Sequence, residues 1–362
     1  MTYCRNCGVA HAEAARYCRR CGERLDRAGD ESGDRPPARE RPPEGDPVKT
    51  AYEDEYDLYG VATWDVRSRL DHVAVSVVRT LDQSKTAAPV ALAGALFVLQ
   101  ATVAVGIVFT EPLLGVLAVA SILPAVALAG YLWYDDPTTR EPFVPLAVTF
   151  LLAMVFAMLA AVVNSSLGPL FEVIGALGLV FFFFLVVGPI EEFVKWLAIR
   201  VYAARTDAFR TVVDGAVYGA AAGLGFAAIE NLVYIVSVYL EADGGAGQLE
   251  SAVSVTAQRL FVGPGHVIFS AWAGFYLGLA SFNPDQYWPI VVKGLLVAAF
   301  IHGLYNTMVS VVPQFVSLGV GGILLLIVGY HGFWLALLSR KIRAYRSLYR
   351  RLDPHEREGQ TR

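Results

Sequence analysis

Two glutamates and a lysine stand where an apolar run gives no reason for charge. The stretch GPIEEFVKWLAIR, residues 188–200, follows GALGLVFFFFLVV directly, with no turn residues to carry Glu191, Glu192 and Lys195 into water. Lys195 lies four residues after Glu191 and three after Glu192, so on a helix it reaches either carboxylate from the same face. A charged residue at the centre of a bilayer costs about 2.5–3.5 kcal/mol on insertion scales, so such groups must pair, share protons or line a wet cavity. Three more polar patches punctuate later apolar runs. They are Phe226-x-x-x-Glu230-Asn231, a solitary His266 in FVGPGHVIFSAWAGFYLG, and His302-x-x-x-Asn306, whose i, i+4 spacing aims both side chains the same way. Counting along the runs puts Glu191, Glu230, His266, His302 and Asn306 in the middle to outer half of a membrane, so separate helices converge on one layer.

Glutamate, histidine and asparagine in a shielded pocket suit the activation of water. Two adjacent carboxylates do not readily carry two charges in low dielectric, so one of the pair is expected to trade a proton. An ionised glutamate can take a proton from water, the water can attack a peptide carbonyl, and histidine or asparagine donors can hold the oxyanion. No serine or cysteine occupies a comparable setting, which argues against a covalent nucleophile. His331, in GYHGFWLALL, reads as a hydrogen bond between helices, and Asp214 as an interfacial or helix-bonding group.

The elements that must position these groups are legible from composition. The chain has 362 residues, 55% of them hydrophobic, and a net charge of −4, which does not suggest a nucleic-acid surface. Residues 87–340 consist of continuous apolar runs of about 20 residues, the length of a membrane-spanning helix. They do not alternate as a β-barrel would. The fold class is an all-α polytopic membrane protein with about eight transmembrane helices and a small N-terminal zinc ribbon. The spans fall near 87–110, 112–134, 142–164, 176–203, 211–240, 258–281, 288–312 and 317–339, with SLGPLFEVIG as a short interfacial segment before the fourth. Gly215, Gly219 and Gly223 repeat every four residues, a pattern that lets another helix pack closely. Arg140, Arg205, Arg210 and the terminal RKIRAYRSLYRR fall on one side, while Glu111, Glu241, Asp243 and Glu250 fall on the other, with Arg259 the one basic residue near that face. The positive-inside rule then places both termini in the cytoplasm of a multi-pass cell-membrane protein, with the basic tail, 341–362, against anionic lipid.

All four cysteines, Cys4, Cys7, Cys18 and Cys21, lie in the opening stretch as C-x2-C-x10-C-x2-C, each pair followed by glycine. Two such knuckles hold a structural zinc, and four thiolates imply a reducing compartment. The ribbon covers residues 1–25, and the opening stretch does not read as a cleavable signal. Residues 26–60, charged and rich in proline and glycine, read as a disordered linker. Residues 61–86 read as an amphipathic interfacial helix, with Trp64, Leu70, Val73, Ala74, Val77, Val78 and Leu81 on its apolar face and Asp71 elsewhere. Packing of this helix against another helix fits nearly as well. The ribbon is expected to tether a cytosolic protein partner or to gate the rest of the chain.

E-E-x-x-K, F-x-x-x-E-N, a solitary histidine and H-x-x-x-N, in that order on successive helices, resemble the PrsW family of intramembrane proteases, which is similar to the CAAX prenyl endopeptidases of the wider CPBP/ABI group. The resemblance spans residues 87–340 and excludes the ribbon. It implies hydrolysis of membrane-anchored protein substrates, with anti-sigma factors as the example, at a glutamate-based site. On the matched positions Glu191 and Glu192 are the carboxylate pair, with Glu191 the general base. Lys195 tunes the pair, Glu230 and Asn231 fill the E-N positions, His266 and His302 orient water or the oxyanion, and Asn306 completes the donors. Glutamate and histidine also ligate zinc, but asparagine and lysine make poor ligands, so a metal-free site is preferred to a zinc-dependent one. A proton-coupled transporter would need similar intramembrane charges, yet the chain lacks the internal repeats usual there.

Overall fold

The structure is a computed structural model, and it describes residues 2–3, 10–11, 45–81, 102, 106, 109–134, 140–242 and 246–352. The chain divides into two compact units, Met1–Arg41 and Pro42–Arg362. In the first, strand β1 (Thr2–Tyr3) pairs antiparallel with β2 (Ala10–His11), Thr2 opposite His11. Cys4, Cys7, Cys18 and Cys21 lie outside the described residues.

The second unit is helical. Its elements are α1 (Pro47–Tyr52), α2 (Arg69–Leu81), α3 (Pro112–Ser121), α4 (Leu123–Tyr134), α5 (Phe143–Glu172), α6 (Gly175–Phe182), α7 (Gly188–Val201), α8 (Val212–Glu241), α9 (Ala246–Ser281), α10 (Tyr287–Ser310) and α11 (Val320–Tyr349). Among the described residues six helical rods are long and apolar enough to cross a membrane. The pair α3–α4, bent by 44°, makes a seventh if it counts as one span. These match seven of the eight expected crossings, and the first, 87–110, lies mostly outside the described residues.

Two local details shape the fourth expected crossing. SLGPLFE, expected as a separate short segment, instead forms the last turns of α5, which runs through Pro169 to Glu172. Gly175, at φ 63°, then reverses the chain into α6, a backbone state that glycine adopts without a Cβ clash. The rod from Gly175 to Val201 runs on through Pro189, as the single expected crossing at 176–203 requires. Proline lacks an N–H, and its ring crowds the carbonyl four residues earlier, at Leu185. A π-helical turn at Phe183–Val187 lies at that point and absorbs the defect, so the helix continues as α7.

Small residues set the helix spacing. The backbones of α8 and α9 nearly touch: a Cβ on Gly219 would sit 2.3 Å from Ser270 O, and one on Gly223 2.2 Å from His266 O. Gly188 and Gly303 do the same where α7 and the π turn before it meet α10. Their absent Cβ atoms would meet Ala299 O at 2.6 Å and Phe183 O at 2.9 Å. Dispersion contacts between closely approaching backbones drive packing where lipid removes the hydrophobic term.

Residues 45–60, expected to be disordered, are ordered against one end of the bundle, with Val48 and Leu58 buried. Asp46 is the reason. Its Oδ1 caps α1 by accepting from Val48 N at 3.0 Å and Lys49 N at 3.1 Å. Its Oδ2 accepts from Val212 N at 3.2 Å and the Tyr345 hydroxyl at 2.6 Å. Lys49 donates to Asn283 Oδ1 at 3.2 Å, Asn283 Nδ2 donates to Ala62 O at 3.1 Å, and Lys341 donates to Gly60 O at 2.9 Å. This collar touches the start of α8, the α9–α10 turn and the extension of α11. Those segments therefore share one end, as alternate crossings require. Residues 26–44 lie outside the described residues.

The face of α2 also differs from the sequence reading. Asp71 and Ala74 are buried, whereas Val73 is 49% exposed. Asp71 reaches the Lys293 ammonium of α10 at 2.5 Å and accepts from the Tyr59 hydroxyl at 2.5 Å. Burial opposes its charge, but Lys293, Tyr59 and Ser68 together hold its carboxyl well below the usual range. The buried face thus carries an ion pair beside Ala74 of the apolar stripe. Residues 341–349, expected as the start of a basic tail, continue α11, with Ile342, Tyr345 and Tyr349 buried.

Candidate active site

Four helices bring the sequence-predicted residues together. α7 carries Glu191, Glu192 and Lys195, α8 carries Glu230, α9 carries His266 and α10 carries His302, all within helices and, apart from Glu230, buried. The glycine contacts at 188, 219, 223 and 303 allow the approach.

The two glutamates differ in surroundings. Glu192 is saturated: Lys195 Nζ donates to its Oε1 at 2.7 Å, His302 Nδ1 lies 2.9 Å from the same oxygen, and the Ser270 hydroxyl donates to Oε2 at 3.3 Å. Glu191 accepts one hydrogen bond, from Asn164 Nδ2 to Oε1 at 3.0 Å. Its Oε2 is buried and has no hydrogen-bond partner among the described residues. It faces His302 Nε2 at 3.6 Å and Lys195 Nζ at 3.7 Å. A carboxylate as partner calls for a proton on His302 Nδ1, which leaves the Nε2 lone pair toward Glu191. The Lys195 ammonium also lies 4.1 Å from the centre of the Phe226 ring, which gives that aromatic position a cation–π role.

His266 joins this centre to Glu230. Its Nδ1 is 3.0 Å from Lys195 Nζ, and its Nε2 is 2.7 Å from Glu230 Oε2. Glu230 is the most open carboxylate, its side chain 20% exposed against 5% for Glu191. The cluster therefore opens on the Glu230 side.

Asn231 and Asn306 stand apart. Asn231 is buried but turned from the glutamate pair, donating to the Ser121 hydroxyl at 2.9 Å and accepting from Arg259 Nε at 2.7 Å. Asn306 is half-buried, one turn beyond His302, and makes no hydrogen bond to the cluster among the described residues. His331 does not bridge helices through Nε2, which has no hydrogen-bond partner among the described residues. It stacks on Tyr305 with ring centres 5.0 Å apart. Asp214 forms a capping box with Thr211 at the start of α8.

Three participants were missed in the sequence: Asn164, Arg259 and Ser270. Asn164 and Arg259 are lone strongly polar residues in or beside apolar runs, a signal of buried pairing. Ser270 gives no such signal, because a serine satisfies itself on its own helix.

A metal can be tested against these donors. Glu191, His266 and His302 each offer a ligand atom, and these atoms lie within 4.8 Å of one another. One carboxylate and two imidazoles make an open catalytic zinc set. Glu192 behind His302 supplies the outer carboxylate such a ligand usually has. The donor set therefore fits a divalent cation, although His266 has a neighbour at each ring nitrogen and must release one to bind it.

The geometry suits hydrolysis, and comparison with known proteins agrees. Residues 141–336, more than half of the chain, match the family model described as PrsW family intramembrane metalloprotease. The chain is 30% identical over 194 residues to Protease PrsW of Geobacillus kaustophilus, covering 52% of this chain and 76% of that one. It is 28% identical over 200 residues to Protease PrsW of Bacillus subtilis, covering 54% and 84%. No solved structure matches. With its glutamates, lysine and histidines gathered between membrane-spanning helices, the chain belongs to the PrsW family of intramembrane proteases.

Proposed function

We propose that this protease cleaves membrane-anchored protein substrates with Glu191 as the general base and with no metal required at the reacting atoms. The observation that carries this reading is the contrast between the two carboxylates. Glu192 spends its acceptors on Lys195, His302 and Ser270. Glu191 Oε2 stays open, within 4 Å of His302 Nε2 and Lys195 Nζ. A water between Glu191 Oε2 and His302 Nε2 can give one hydrogen to each, which aims an oxygen lone pair at a scissile carbonyl. Glu191 takes the proton as the C–O bond forms, and the same proton then passes to the departing amine. Lys195 offsets the charge of the pair and stands ready for the developing oxyanion. Desolvation by the surrounding helices strengthens each of these interactions.

A second reading has a specific observation behind it, the clustering of Glu191, His266 and His302. Those three residues would hold a zinc ion, which when bound supplies a Lewis acid and an acidified water. Glu192 would orient His302, and Glu230 would take the base role from its more open position.

Anti-sigma-factor-like regulators are the proposed substrate class, on the family resemblance alone. Cytoplasmic termini rest on the asymmetry of basic residues. A zinc-bound Cys4–Cys7–Cys18–Cys21 ribbon that docks a cytosolic partner completes the proposal.

Purified wild type and Glu191→Gln, incubated with single-span membrane proteins and read by mass spectrometry, test it. Cleavage near a membrane boundary that is lost in the variant and indifferent to chelator supports the metal-free reading. Chelator-sensitive cleavage that persists in a Cys4→Ser/Cys7→Ser variant moves the assignment to the metal. Cleavage that survives Glu191→Gln removes Glu191 from the base role.

A further inference from the structure

We propose that Arg259 is a positioning residue of the hydrolytic site, acting through Glu230 on His266; the inference rests on the protease reading above. Arg259 lies on α9 about two turns before His266 and is 7% exposed. Three features of its guanidinium are committed. Nη2 ion-pairs with Glu230 Oε2. Nε donates to Asn231 Oδ1 at 2.7 Å. The planar face lies 4.3 Å from the centre of the Tyr234 ring. Glu230, Asn231 and Tyr234 occupy one turn of α8, so a single side chain reads that whole turn from the neighbouring helix.

The fixation extends in both directions. Outward, Asn231 Nδ2 donates to the Ser121 hydroxyl at 2.9 Å, and that hydroxyl donates to Ala118 O at 2.7 Å. The amide orientation of Asn231 is thereby set, with its oxygen toward Arg259. Inward, the oxygen that Arg259 holds is the one facing His266 Nε2 at 2.7 Å, and His266 Nδ1 faces Lys195 at 3.0 Å. An anchor on α3 is thus linked by unbroken polar contacts to the ammonium beside the glutamate pair.

Glu230 needs this anchor because it is the carboxylate on the open side. Without Arg259 its charge has a hydrated alternative, and rotation toward it removes the carboxylate that lies 2.7 Å from His266 Nε2. His266 is then free to flip, and Lys195 loses a fixed neighbour. Lysine does not replace arginine here, because one ammonium cannot pair with Glu230, donate to Asn231 and lie flat on Tyr234 at once. The arrangement also assigns Asn231 a job: it holds the holder.

The test is steady-state cleavage of one substrate by full-length wild type, Arg259→Gln, Arg259→Lys, Asn231→Ala, Glu230→Gln and the Arg259→Gln/Glu230→Gln double variant, with thermal unfolding of each in the same detergent. The expected result is a kcat for Arg259→Gln at least about tenfold below wild type, with KM within roughly twofold. Arg259→Lys should recover part of that loss, and the double variant should be no slower than the slower single one, because both changes break the same link. Asn231→Ala should lower kcat severalfold while leaving Arg259 in place, which keeps the test open if Arg259→Gln fails to fold. Unchanged kcat in Arg259→Gln and Asn231→Ala, with only a lower unfolding temperature, would reduce Arg259 to a structural ion pair. Losses that multiply in the double variant would also overturn the proposal. A wild type that cleaves nothing overturns the protease reading and this one with it, whereas an active wild type beside a fully active Arg259→Gln sinks this one alone.

Discussion

His302 is held by one glutamate and presented to the other: Nδ1 lies 2.9 Å from Glu192 Oε1, while Nε2 faces Glu191 Oε2 at 3.6 Å. One imidazole thus divides two sequence neighbours into an anchor and an open acceptor. The consequences of Glu191→Gln and Glu192→Gln should therefore differ in kind.

Glu191→Gln should fold and bind substrate with kcat reduced by about 10²–10⁴, the usual contribution of a general base. Glu192→Gln leaves the Lys195 ammonium buried without its nearest anion, a change of the kind that costs about 3–5 kcal/mol. Its signature should be a lower unfolding temperature together with lost activity. Paired unfolding and cleavage assays separate the two, and equal destabilisation by both would refute the division of roles.

Gly219→Ala should loosen the site without touching it. The added Cβ falls 2.3 Å from Ser270 O, so α8 and α9 must part, at roughly 1–3 kcal/mol. Ser270 and His266 then shift away from Glu192 and Glu230. Reduced kcat and a lower unfolding temperature are expected, whereas Gly130→Ala, at a position with nothing within 4 Å, should be silent in both assays.

Collar docking should weaken as pH rises. Burial pushes the Asp46 carboxyl up to about 6, against the hydrogen bonds from Tyr345, Lys49, Val212 and Val48 that favour its charge. A raised value means that protonation favours the docked form. The contribution is full below about pH 4 and is lost as pH climbs through about 6, a change on the order of 3 kcal/mol. Hydrogen exchange of residues 46–52 should accelerate from pH 4.5 to 7, after correction for intrinsic rates, and Asp46→Asn should flatten the dependence. Protection that grows with pH would reverse the assignment.

Asp71→Asn should release α2 from α10. It removes the counter-charge of the partly buried Lys293, at a cost on the order of 3 kcal/mol. Proteolysis within 65–76, followed over time, should speed up in the variant, and Lys293→Met with Asp71→Leu should restore resistance. Unaltered proteolysis in Asp71→Asn would show that the apolar contacts around Trp64 and Ala74 suffice.

The parts of this protein whose physics is local can be read along the residue string. Apolar runs long enough to span a bilayer dictate helices, because no other open structure satisfies its backbone in lipid. Glu191, Glu192, Lys195, Glu230, His266 and His302 were legible because charge in such runs requires partners, and the glycine repeat at 215, 219 and 223 announced a close crossing. What depends on direction comes only with the packed helices. Whether Asn231 faces the glutamate pair or Arg259 turns on the rotation of α8 against α9, which no spacing encodes. Asn164 and Ser270 acquire meaning only through the carboxylates they meet from other helices. Asp71 is buried against its partner Lys293, which lies more than 200 residues away in sequence and which no pattern within its own helix shows. Asp46 orders a segment whose composition reads as disorder, since its partners are a backbone amide on α8 and a hydroxyl on α11. Local pattern fixes which residues need a partner, and only the packed bundle fixes which partner each one finds.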